Sequence, residues 1–333
     1  MCRFDERTFW DQVYTHCSSE LLYSTRIHPL PTFSSTSCNV FIKREDESGF
    51  GISGYKKRKF ASLLPFLEQN EIEEVILIGG TYSNHIVGLL QLLNEKQISY
   101  QLVLKEPSNQ KIQGNAFLLA LLNRSQRIHW IPPSQWHGHL EFAQALVKNS
   151  QTFLIPEGGL CREAVPGMAT LWKDIRTNEE MLGKTFNHIF IDAGTGLSAA
   201  VLQAVSSQSS PTPIIHVILM AEGDNAYKQV FKKVCTWLQD LRLMYTSPVF
   251  QAQLYRPYTA ASFGSVNATV RKFCQKIAKE EGVLCDPVYS AKLLMQAQRV
   301  IQSGAIDGEV LIIHSGGGTG LMGFSDQFAL RLP

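Results

Sequence analysis

An α/β protein with two interleaved, open, twisted parallel sheets is the fold this sequence predicts, on three observations. Short β-branched runs alternate with amphipathic stretches from Val75 onward. The strand runs are continuously apolar rather than alternating, as in parallel sheets covered on both faces. No break in composition marks a linker, so the two units that 333 residues allow are interleaved rather than strung in series.

The expected strands are Val75–Ile78, Tyr100–Leu104, Ile128–Ile131, Thr152–Ile155, His188–Ile191, Ile214–Leu219, Val249–Leu254 and Val310–His314. The helices expected between them are Ile86–Asn94, Gly114–Asn123, Leu140–Lys148, Leu197–Ser206, Ala226–Leu243, Asn267–Glu281 and Ala291–Gln302. In the helix from Asn267, residues Val270, Phe273, Cys274, Ile277 and Ala278 share one face at helical spacing. The Ser-rich segment Phe33–Cys38 and the stretch Ser206–Pro213 read as surface connections. Open parallel sheets bind ligands at the carboxyl ends of their strands, which directs attention to the loops that follow each strand.

Composition narrows the function. Charged residues make up 18% and the formal net charge is +2, so nothing draws the whole chain to nucleic acid or an anionic membrane. Seven scattered cysteines with no CxxC pair indicate neither a disulfide framework nor a zinc site, and suit a reducing compartment. The first residues, Met1–Tyr14, are charged and lack an apolar signal core, and no stretch is long and apolar enough to span a bilayer. A cytoplasmic protein with neither nucleic-acid nor membrane partner is expected.

Five segments carry chemistry, four of them after a strand. Gly79-Gly80-Thr81-Tyr82-Ser83-Asn84-His85 and Asp192-Ala193-Gly194-Thr195-Gly196-Leu197-Ser198 each open a helix. Pro156-Glu157-Gly158-Gly159 and Ser315-Gly316-Gly317-Gly318-Thr319-Gly320 follow two more strands, and Ser53-Gly54-Tyr55-Lys56-Lys57-Arg58-Lys59 is the fifth. Glycine at a strand-to-helix turn lets backbone N–H groups converge on an anion, so Gly194-Thr195-Gly196 suits a phosphate, though such turns also use glycine for purely conformational reasons. Neither a G-x-x-x-x-G-K-[ST] motif nor a full dinucleotide fingerprint is present. By composition alone Lys56–Lys59 is a solvated basic helix start. Yet four cations oppose the helix dipole there, and crowded cations lower an amine pKa toward imine chemistry without choosing among the lysines. Ser83 and Ser290 equally suit helix N-caps.

The order of these segments resembles the family of D-cysteine desulfhydrases and 1-aminocyclopropane-1-carboxylate deaminases, within the tryptophan-synthase-β-like group of pyridoxal-phosphate enzymes of fold type II. The resemblance runs from about Pro29 to Gly323. Lys43-Arg44-Glu45-Asp46, Gly49 and Gly54-Tyr55-Lys56-Lys57-Arg58-Lys59 match K-R-[DE]-D, a glycine and G-G-N-K-x-R-K, which assigns Lys56 as the lysine that carries pyridoxal 5'-phosphate. Residues 79–85 match G-G-x-x-S-N-[HQ], which implies Asn84 at the cofactor's phenolic oxygen, with Ser83 and His85 facing the substrate. Gly194, Thr195, Gly196 and Leu197 match the phosphate turn, Pro156–Gly159 matches P-x-G-G, and Asp286-Pro287-Val288-Tyr289-Ser290 matches D-P-V-Y-[TE].

The resemblance implies a lyase or deaminase acting on a small amino acid. Its cofactor would lie in a cleft between a large domain, 1–53 plus 156–333, and a small inserted domain, 54–155, with a homodimer as the usual assembly. Lys56, Tyr289 and Ser83 are the implied catalytic residues, with Lys56 or Tyr289 as base. Members resembling the cyclopropane deaminases carry a carboxylate after the tyrosine. The Ser290 hydroxyl instead implies a neutral ring nitrogen, a weaker electron sink and loss of a good leaving group, as in a D-cysteine desulfhydrase. Three residues depart from the pattern: Tyr55 replaces an asparagine, Phe263 a second active-site tyrosine and Leu197 a threonine. Each bears on turnover more than on cofactor binding, and together they raise the alternative of a catalytically weak cofactor-binding protein.

Overall fold

The computed structural model describes residues 6–107, 111–244 and 248–328; Cys2 and the expected N-terminal charges Arg3 and Asp5 lie outside the described residues. The strands are β1 (Ile27–Pro29), β2 (Cys38–Arg44), β3 (Glu74–Gly80), β4 (Ser99–Lys105), β5 (Ile128–Ile131), β6 (Thr152–Ile155), β7 (His188–Ala193), β8 (Ile214–Leu219), β9 (Gln253–Tyr255) and β10 (Gly308–His314). The helices are α1 (Glu6–Thr15), α2 (Lys56–Gln69), α3 (Asn84–Glu95), α4 (Asn115–Leu122), α5 (His139–Ala145), α6 (Val165–Leu182), α7 (Leu197–Ser206), α8 (Asp224–Asp240), α9 (Ala268–Glu281), α10 (Ser290–Gln302) and the single turn α11 (Gly318–Leu321).

Two sheets result. One has six strands in the order β1-β2-β10-β7-β8-β9, parallel except for β1 against β2. The other has four parallel strands, β5-β4-β3-β6. Helices cover both faces of each. In β3, Val75 and Leu77 join the core built on α2 and α3, while Ile76 and Ile78 pack with Ala143 of α5 on the other face. In β7, Ile189 and Ile191 pack with α6 and α7, and Phe190 turns to the cluster that holds α9 and α10. That two-sided burial is why these strands read as unbroken apolar runs.

Besides α1 and β1, which were not among the expected elements, three more depart from the expectations. Val249–Leu254 contributes only Gln253–Tyr255, three residues paired to β8 at the sheet edge. Strand β2 was not anticipated, because its Lys43 and Arg44 interrupt the apolar run, yet Lys43 is fully buried. Helix α6, absent from the expected helices, opens with Val165, Pro166 and Gly167. They stand in its first turn, where proline lacks only an N–H that has no helical partner anyway.

Candidate active site

Helix α2 brings Lys56 to the carboxyl end of the six-stranded sheet, and a glycine makes that possible. Gly54 sits at φ +73°, and any Cβ there would meet the Ser315 carbonyl oxygen at 2.0 Å. The turn before Lys56 therefore presses directly on the loop after β10. Just beyond it, two of the four cations in the first turn of α2, Arg58 and Lys59, are buried and held by partners rather than by solvent. Arg58 donates through Nε and Nη2 to Glu45 at 2.7 Å each and through Nη2 to Asp174 at 2.6 Å. Lys43 donates to the same Asp174 oxygen at 2.6 Å and to Asn178 at 2.7 Å. The expected solvated basic run is thus an anchored one, and the K-R-E-D motif is its counterpart.

The five glycine-rich segments meet around Lys56. Its Nζ lies 5.1 Å from the ring centre of Tyr55 and 5.7 Å from that of Tyr289. The Tyr289 ring in turn abuts Gly194, where an added Cβ would touch Cε1 at 3.5 Å. A side chain on Gly158 would run into Thr195 at 2.7 Å, and one on Gly159 into His85 at 2.7 Å. Thr319 Oγ1 donates to Asn115 Oδ1 at 2.7 Å and lies 3.4 Å from Asn84 Oδ1, which also accepts from Asn115 Nδ2 at 2.8 Å. One patch at the strand ends of both sheets gathers them all.

Electrostatics separate the groups. Burial pushes the Lys56 amine pKa down, opposed by the nearby Asp192 and Asp286. Burial and the neighbouring Lys56 draw Lys59 down to about 7, and its Nζ donates to the Gly158 carbonyl at 2.9 Å. His85 is held well below its ordinary value by burial and the same two lysines, so its ring is neutral. Burial moves the Tyr289 phenol the other way, up, and Asp286 and Asp192 push it further. Tyr55 is raised likewise, with its Oη donating to Asp192 Oδ2 at 3.0 Å.

Of the residues expected at the site, Lys56, Ser83, Asn84, His85, Gly194, Thr195, Gly196, Leu197, Tyr289 and Ser290 all lie in these converging segments. Ser83 is also the N-cap of α3, accepting from the amides of His85 and Ile86. The Ser290 hydroxyl is engaged with Asp286, donating to Oδ2 at 2.8 Å and accepting from the Asp286 amide at 2.8 Å. Leu197 is fully buried, so only its backbone is available to a ligand. Phe263, which stands in sequence where a second active-site tyrosine was expected, meets Tyr289 edge-on at 6.0 Å. Sequence reasoning assigned no role to Lys59, Asn115, Asp192, Ser198 or Thr319. Lys59, Asp192, Ser198 and Thr319 stand inside quoted motifs, and only Asn115 carried no signal.

The site can be tested against pyridoxal phosphate through the atoms it leaves unsatisfied. Buried polar atoms without a hydrogen-bond partner include both ring nitrogens of His85, Asp192 Oδ1 and Ser198 Oγ, all in the segments just described. Ser198 lies in the first turn of α7, whose leading N–H groups have no helical acceptors, a donor set suited to a phosphate. An amine of lowered pKa faces the same space, and an aldehyde needs such an amine. The residues fit the group.

The model of the "Pyridoxal-phosphate dependent enzyme" family matches residues 19–316. The chain belongs to this family. A putative 1-aminocyclopropane-1-carboxylate deaminase of Pyrococcus furiosus is 23% identical over 317 residues, covering 92% of this chain and 93% of the relative. A D-cysteine desulfhydrase of Serratia proteamaculans is 23% identical over 303 residues, covering 86% and 90%. Among solved structures, an ACC deaminase homologue superposes with a TM-score of 0.84 at 23% identity, over 97% of this chain and 99% of that one. The processed form of threonine deaminase isoform 2 from Solanum lycopersicum gives 0.65 at 14%, over 97% and 90%. The fold is that of fold type II pyridoxal-phosphate enzymes, and the protein is a pyridoxal-phosphate-dependent lyase or deaminase. Among the described residues no helix is long and apolar enough to cross a membrane.

Proposed function

We propose that the enzyme deaminates a small α-amino acid by removing its α-proton and expelling its β-substituent, with D-cysteine as the leading substrate and pyruvate, sulfide and ammonia as products. The observation that carries this reading is the Lys56 amine, lowered in pKa by burial and set between two tyrosine rings beside Gly194. Pyridoxal phosphate, when bound, withdraws electrons from the substrate's α-carbon and so acidifies its proton. Lys56 would hold the cofactor, and its amine would take the α-proton at Nζ. It suits that task better than Tyr289, whose raised pKa keeps a phenol that donates rather than accepts. The Asn84 oxygen is committed to Asn115, which leaves its amide N–H groups to bond the cofactor's phenolic oxygen. Backbone N–H groups of 194–198 and the Ser198 hydroxyl hold the phosphate, and Ser83 and neutral His85 face the substrate.

Ser290, a hydroxyl where a carboxylate would favour ring opening, supports the sulfide leaving group. The second reading, a cyclopropane amino acid, is supported by the names of the relatives. Borohydride reduction and peptide mapping of the purified holoenzyme should place the pyridoxyl label on Lys56. D-cysteine should then yield pyruvate, whereas the cyclopropane substrate would yield 2-oxobutyrate. An unlabelled Lys56, or no keto acid from a broad panel of D- and L-amino acids, would overturn the assignment.

A further inference from the structure

The geometry points to Asn115 as a positioning residue that makes Asn84 a donor toward the cofactor, with Thr319 locking it from the loop after β10. The inference rests on the reading of Asn84 given above and adds the residue that decides which end of its amide is free.

An asparagine can hold its oxygen and nitrogen in either of two exchanged positions, and its neighbours choose between them. The choice here starts from the backbone. Asn115 Nδ2 donates to the Tyr82 carbonyl at 3.0 Å, and a carbonyl can only accept. That leaves Asn115 Oδ1 to accept the Thr319 hydroxyl at 2.7 Å. The second N–H of Asn115 Nδ2 goes to Asn84 Oδ1 at 2.8 Å. Exchanging the ends of Asn84 would set two N–H donors against each other across that distance. Its oxygen therefore stays with Asn115. Among the described residues Asn84 Nδ2 has no hydrogen-bond partner, so the free end of this side chain is a donor. A donor is what a phenolic oxygen carrying negative charge requires, whereas an amide oxygen would repel it.

Burial and packing hold the anchor in place. Asn115 is 2% exposed, so water does not compete for its bonds. It opens α4 directly after Gly114, which sits at φ +56° and where an added Cβ would meet the Gly323 backbone at 2.7 Å. Gln113 Nε2 donates to the Gly323 carbonyl at 2.5 Å. The start of α4 is thus clamped between the turn that precedes α3 and the segment that follows β10. Elements of both sheets fix one amide.

Binding of pyridoxal phosphate to the cofactor-depleted enzyme, set against binding of an analogue that lacks the phenolic oxygen, tests this. Asn115→Asp offers Asn84 only acceptors, so Asn84 should turn its N–H groups to the new carboxylate and away from the cofactor. Pyridoxal phosphate should then bind about tenfold more weakly, the worth of one hydrogen bond, while the analogue keeps its wild-type affinity. Asn84→Ala should show the same selective loss. Adding Asn115→Asp to it should weaken binding no further, because both changes act through one bond. Should Asn115→Asp not fold, Asn115→Ala, which only frees Asn84, should give a smaller selective loss of about threefold. Equal weakening of both ligands, or additive losses in the double variant, is what a merely structural residue would give, and either overturns the proposal. A pyridoxyl label on Lys56 combined with equal weakening defeats the role of Asn115 alone, whereas an unlabelled Lys56 defeats the cofactor reading itself.

Discussion

Lys59 shows how much a buried side chain can differ from its appearance in sequence. It stands in a run of four cations that composition assigns to solvent, yet it is 4% exposed and its amine is drawn down to about 7. Between that value and its ordinary one of 10.5, the unfolded chain binds a proton that the folded chain does not. Stability from this group therefore rises with pH above about 7, and the gain is lost as pH falls through 7. Urea denaturation between about pH 7 and 8.5, below the usual cysteine range, should show a stability increase that Lys59→Met reduces. A variant with the same slope as wild type would mean the amine is not perturbed.

Helix α2 carries the site lysine, and its position depends on α6, the helix that sequence reading missed. Gly167 of α6 lies so close to α2 that an added Cβ would meet the Arg58 carbonyl oxygen at 2.0 Å. Ser62 Oγ of α2 accepts the Gly167 amide at 2.9 Å and donates to the Glu163 carbonyl at 2.7 Å. On helix propensity alone Gly167→Ala should stabilise by about 1 kcal/mol. The clash with backbone reverses the sign, and a loss of about 1–3 kcal/mol is expected, with weaker retention of the cofactor on Lys56. Denaturation midpoints and cofactor occupancy measure both; a more stable variant would show that the helices can separate without cost. The periodicities of α8 and α9 were legible because each has a single apolar face. That of α6 was masked by Val165-Pro166-Gly167.

Across the whole protein, a buried ion cluster ties together segments remote in sequence. It joins Thr25, Lys43 and Glu45 to Arg58 of α2 and to Asp174 and Asn178 of α6. Despite burial, which alone would raise them, Glu45 and Asp174 are held below the usual carboxylate range, by Arg58 first for Glu45 and by Lys43 and Arg58 for Asp174. A carboxylate depressed in the folded state adds stability above its ordinary pKa and loses it as pH falls through the depressed one. Arg58→Met strands Glu45 without its bidentate partner. It should cost about 3–5 kcal/mol at neutral pH and move acid unfolding to higher pH. Urea and acid titrations followed by circular dichroism would check both, and an unchanged acid midpoint would show that Lys43 alone sustains the carboxylates.

The α/β class, most strands and helices, and the order of the glycine turns could all be read from the amino-acid order. Those properties are local: a period, a turn residue or a motif is complete within a few neighbouring positions. Two others could not: which of four adjacent cations are buried, and that Ser290 closes on Asp286. Burial and hydrogen-bond satisfaction depend on which face of β7 meets α10 and on what α6 presses against α2. Those contacts exist only once distant parts of the chain have packed.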